Sequence, residues 1–116
     1  MSGAVVEVKD KLHIMARRLF EEDVRRHFVG EVTATSDSLV EVRGYTFIFQ
    51  PGTNDYRRLP EERTRIFSLG ESGYVVNKIP RETDLSSIVY RTAENRLVIS
   101  DGRSFSLPIN EFGSTR

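Results

Sequence analysis

The sequence predicts a mainly β fold: a single small antiparallel barrel or roll of about eight short strands. Three observations carry that expectation. Read with period 2, Val6, Val8, Leu12, Ile14, Ala16 and Phe20 fall on one face, while the opposite face is mostly polar, as in a long half-buried strand. Residues Leu39–Phe49 are rich in Val, Tyr, Phe, Thr and Ile, which suit a pleated surface. Turn-forming clusters then recur along the rest of the chain, at Ser36-Asp37-Ser38, Pro51-Gly52, Asn54-Asp55, Gly70-Glu71-Ser72-Gly73, Ala93-Glu94-Asn95-Arg96 and Asp101-Gly102.

Taken in order, the first segment has a competitor. Leu12, Met15, Ala16, Leu19, Phe20 and Val24 also sit at helical spacing, with Asp10 as an N-cap, so residues 10–27 as a helix would make the fold α+β. The strand pattern accounts for residues 5–20 together, and no helix stop precedes the new alternation at Phe28, Gly30, Val32 and Ala34. Two strands joined by a turn at Glu21-Glu22-Asp23 are therefore preferred. After Ser36-Asp37-Ser38 comes the strand Leu39–Phe49, and then a polar connection from Gln50 to Glu62. Thr64–Leu69 and Tyr74–Ile79 read as a hairpin around Gly70–Gly73, and Ile88–Thr92 and Leu97–Ser100 as another pair. Asp101-Gly102 reads as a type I′ turn into Phe105–Ile109.

Composition limits the function classes. The 116 residues fit one domain, 1–116, with 1–4 and 113–116 expected to fray. Seventeen basic residues balance seventeen acidic ones, so the chain lacks the strongly basic character from which nucleic-acid binding is usually argued. There is no Cys, which excludes thiol catalysis, Cys-based zinc sites and disulfides. Ala4-Val5-Val6 is interrupted at once by Glu7 and Lys9, unlike a signal peptide, and no apolar run is long enough for a membrane-spanning helix, so a cytoplasmic location without membrane partners is expected.

Catalytic and cofactor motifs are missing. No G-x-S-x-G elbow occurs, and His13 and His27 form no recognisable relay with a Ser and a carboxylate. Nor do they have metal-ligand spacing, so both read as surface histidines. Glu21-Glu22 and Glu61-Glu62 lie in turns, and Gly70-x-x-Gly73 lacks the Lys and Ser/Thr of a phosphate loop. The expectation is a protein that is not an enzyme and carries no cofactor and no metal.

Two arginine groupings remain. If Phe20 pairs with Val24, opposite residues sum to 44, and Arg18 faces Arg26, Arg17 faces His27, Leu19 faces Arg25 and His13 faces Glu31. Like charges opposed across an antiparallel pair are unfavourable unless neighbouring carboxylates or an external anion neutralise them. On the second reading Arg17, Arg25 and His27 make an anion-binding face. The loop carrying Tyr56, Arg57 and Arg58 offers further guanidinium groups beside an aromatic ring. Tyr45, Phe47 and Phe49 share one strand face, and Val40, Val42, Thr46 and Ile48 the other, so this strand is expected to be covered on both sides or to self-associate. The expected function is a non-catalytic binding module for an anionic ligand, RNA in particular, through Arg17, Arg25, His27, Arg57 and Arg58. The alternative is a structural or protein-interaction subunit that self-associates through an apolar strand face.

Overall fold

The stretch from Arg26 to Gln50 is the spine of the fold. In the computed structural model, which describes residues 5–16, 25–50, 52–53, 55–70, 73–93 and 96–109, it forms the two longest strands, β2 (Arg26–Ser36) and β3 (Leu39–Gln50). They meet at Asp37-Ser38, where Asp37 takes φ 55°, a left-handed conformation that Asp tolerates and tight hairpins need. β1 (Lys11–Ala16) pairs with β2 on one side, and β6 (Tyr74–Ile79) pairs with β1 beyond it. At the other edge β3 is long enough for two partners. Its first half pairs with β5 (Arg63–Ser68) and its last residues pair with β4 (Asp55–Arg58).

The division falls at glycine. Gly30 and Gly44 are directly opposed. A Cβ on Gly44 would lie 1.9 Å from the Val29 carbonyl oxygen, and one on Gly30 would lie 2.6 Å from that of Arg43. Only glycine permits so close an approach of the two backbones. The sheet curls tightly enough that its two edges meet: Phe67 of β5 and Tyr74 of β6 have ring centroids 5.4 Å apart, although β3, β2 and β1 lie between their strands. The concave face so made holds Leu12, Ile14, Phe28, Val32, Val40, Val42 and Phe67 as one buried cluster.

The opposite face of the same strands is covered by a second antiparallel sheet, β7 (Val89–Ala93), β8 (Arg96–Ser100) and β9 (Ser106–Ile109), in the order β7-β8-β9. Val29, Phe47 and Tyr56 from the first sheet pack there with Tyr90, Leu97, Ile99 and Ile109 from the second. A single turn of 3₁₀ helix, Leu85–Ser87, leads into this sheet with Asp84 as its cap. The fold is thus mainly β and antiparallel, a curled sheet against a smaller one. Among the described residues there is no α-helix, and no helix long and apolar enough to cross a membrane.

The preferred strands of the first segment hold, while several other expectations change. Residues 11–16 and 26–36 are strands, not parts of a helix; the stretch 17–24 lies outside the described residues. β1 begins only at Lys11, because Asp10 turns the chain back on itself, accepting a hydrogen bond from the Glu7 backbone N–H at 2.8 Å. The Gln50–Glu62 connection contains β4, whose short run Asp55–Arg58 is polar because only Tyr56 is buried. β5 and β6 do not pair as a hairpin around Gly70–Gly73: each joins a different edge of the curled sheet. The β8–β9 connection is not a two-residue type I′ turn, since Ser100 pairs with Ser106 and only Gly102, at φ 77°, has positive φ there. The Asp101 carboxylate shapes that loop by accepting from the Arg103 and Phe105 backbone N–H groups. β3 is covered on both faces from within the chain, by the second sheet and by the curl itself.

Candidate functional site

The register of β1 and β2 places the histidines. Opposite residues sum to 42, not 44: His13 faces Val29, Lys11 faces Glu31, and Met15, not Arg17, faces His27. A shift of two residues preserves the faces, so His13 and His27 both point toward the second sheet. Both are buried, which overturns the reading of surface histidines. Tyr90 of β7 reaches between them. Its hydroxyl lies 2.6 Å from His27 Nδ1 and 3.1 Å from His13 Nε2, and the two ring nitrogens are 3.2 Å apart. The Asn77 side-chain amide donates to His13 Nδ1 at 3.2 Å, which leaves the His13 proton on Nε2, aimed at the Tyr90 oxygen; the Tyr90 hydroxyl then donates to His27 Nδ1. Tyr56 stacks on both His27 and Tyr90, each at 4.6 Å. Burial pushes the His13 pKa down to about 3, with the neighbouring His27 adding to the effect, and pushes the Tyr90 hydroxyl up. These groups are a buried, hydrogen-bonded tie between the sheets.

The sequence-predicted arginines are divided between faces. Arg25 lies over Phe49 at 5.5 Å, and Arg58 lies over Tyr45 at 4.8 Å while donating to the Ser86 carbonyl at 2.9 Å. With His27, these two belong to the face that meets the second sheet. Arg57 pairs with Ile48 and so belongs to the concave face. Arg17 lies outside the described residues. The four described residues are not gathered into one site.

A different set comes together at the end of the roll where β1 finishes and β2 begins. A pocket of about 170 Å³ has a wall of Ile14, Ala16, Phe28, Phe67 and Tyr74, and Arg26, Arg65 and Thr46 also line it. Arg26 and Arg65 are exposed and make no ion pair among the described residues, whereas Arg43, Arg63 and Arg81 are each held by a carboxylate. No described lining residue is acidic. Arg57 continues this character, because Arg26 and Arg57 pair with Ile48 from opposite sides. The Thr46 side chain is 8% exposed, and its hydroxyl is the one buried side-chain polar atom without a hydrogen-bond partner among the described residues. A second cavity, about 430 Å³, is lined by Val5, Val6, Leu69, Tyr74, Val76 and Lys78, but its cation already lies 3.4 Å from Asp10. The unmatched positive charge is at the first.

Period 2 carried a signal for these residues. Counting from Phe28 places Arg26 on the concave face, and counting from Phe67 does the same for Arg65. What the sequence did not reveal is that β5 joins β3, which brings Arg65 to the same pocket. Among the described residues no cluster of three or more His, Asp or Glu side chains is placed to hold a metal ion. The chain matches no family model, no curated protein and no solved structure, so the site is read from its own residues.

Proposed function

We propose that this protein is a non-catalytic binding module for an anionic ligand, with single-stranded RNA as the ligand class its residues suit. The observation that carries the reading is the meeting of Arg26 and Arg65, both without ion-pair partners among the described residues, in one largely apolar pocket. Guanidinium groups hold phosphate through paired hydrogen bonds, and unstacked bases rest against aromatic and apolar walls. Phe28, Phe67 and Tyr74 supply that wall, and Arg57 extends the positive face outward from the pocket. The zero net charge of the whole chain is compatible with this, because the acidic residues balance arginines elsewhere. His13, His27 and Tyr90 take no part: they are buried between the sheets and bonded to one another.

The test is anisotropy of a labelled single-stranded RNA oligonucleotide titrated with the protein over a series of salt concentrations. Saturable binding that weakens with salt is expected, with a log–log slope of about −2 for three phosphate contacts. Arg26→Ala and Arg65→Ala should each reduce the slope by roughly 0.7. Binding that is absent at low salt, or indifferent to salt and to both substitutions, refutes the reading.

A further inference from the structure

We infer that the pocket is a subsite for one pyrimidine nucleotide, its ring inside against Phe67 and Tyr74, its polar edge on Thr46 and its phosphate on Arg26 and Arg65. This rests on the anionic-ligand reading and names the chemistry of the occupant.

Size gives the first argument. A cavity of about 150 Å³ accepts a benzene ring, so a pocket of about 170 Å³, open on one side, holds one six-membered ring against its walls, whereas the second ring of a purine would stand outside them. The chemistry of the wall gives the second. A purely hydrocarbon ring would leave the buried Thr46 hydroxyl unpartnered, whereas a heterocycle with carbonyl or ring-nitrogen acceptors at its edge offers that hydroxyl a bond. Charge gives the third. The described lining has two guanidinium groups and no carboxylate, which suits a phosphate at the mouth beside a ring within. The same nucleotide chemistry can arrive free or as one residue of an RNA strand.

Calorimetric titrations of the full chain with UMP, AMP and ribose 5-phosphate, and with a uridine hexanucleotide, test the inference. UMP should bind saturably and AMP at least several-fold more weakly. Thr46→Val should weaken UMP roughly tenfold, the size of one net hydrogen bond, while leaving ribose 5-phosphate unaffected. Its melting temperature should equal or exceed that of the parent, since the substitution removes an unpartnered buried hydroxyl; this separates loss of recognition from loss of structure. Competition between UMP and the hexanucleotide identifies a residue of an RNA strand as the occupant, and UMP binding without hexanucleotide binding identifies the free nucleotide. RNA binding that is salt-sensitive but indifferent to Thr46→Val and to UMP overturns the subsite and spares the binding-module reading. Failure of every ligand to bind overturns both.

Discussion

Acidification should destabilise this protein through one buried imidazole. His13 has no measurable exposure, receives a hydrogen bond from Asn77 and stands against His27 and Tyr90, so folding holds it neutral, with its pKa lowered to about 3 from an ordinary 6.5. Between those values the unfolded chain binds a proton that the folded chain refuses, and stability therefore rises with pH. The contribution is complete above about pH 6.5 and is lost progressively as the pH falls toward 3. From about pH 8 to about pH 5 the loss from His13 alone comes to about 2 kcal/mol, a substantial part of the roughly 5–15 kcal/mol typical of a domain. Urea unfolding followed by tyrosine fluorescence at a series of pH values measures it directly. In His13→Gln, which keeps a polar side chain but cannot gain charge, the difference between the two pH values should shrink by about the same 2 kcal/mol, whatever the absolute stability of the variant. An unchanged pH dependence in His13→Gln would show that the imidazole is not buried neutral between the sheets.

Three further substitutions probe the framework by thermal or urea unfolding. Gly44→Ala places a Cβ 1.9 Å from a backbone oxygen that cannot swing away, and should cost about 3 kcal/mol or more, or prevent folding; near-parent stability would mean that β2 and β3 do not approach so closely. Gly102→Val meets no atom within 4 Å but must adopt φ 77°, so its cost should be smaller, about 1 kcal/mol. A neutral effect there would mean that the loop reshapes freely. Ile99→Ala opens a cavity in the core shared by the two sheets and should cost about 2–5 kcal/mol. A much smaller loss would indicate that the sheets are loosely packed on each other.

The fold class was legible because alternation and turn chemistry are local. β2, β3 and their Asp37-Ser38 turn appear where the pattern of Phe28, Val32, Val40 and Val42 places them. Strand partnership was less legible, because it depends on curvature. Nothing in Thr64–Ile79 itself states that β5 and β6 join opposite edges of one sheet; that is set by the pairing of β5 with β3 and of β6 with β1, both distant in the chain. The burial of His13 and His27 was hidden for a related reason. A second sheet covers a face that in isolation looked polar, and Tyr90 and Asn77 satisfy the groups buried there. The candidate site followed the same rule: Arg26 and Arg65 are 39 positions apart in the chain and meet only through the curl.

Amide chemical-shift mapping of the isotope-labelled protein, titrated with a short uridine-rich RNA, tests most directly whether the end of the roll is where the ligand binds. The largest changes should fall on Ile14–Ala16, Arg26–Phe28, Thr46, Arg65–Phe67 and Tyr74, and should be lost in Arg26→Ala/Arg65→Ala with the rest of the spectrum preserved. Changes centred instead on Arg25, Arg58 and the second sheet, or a spectrum unmoved by RNA, would place the function elsewhere than in this pocket.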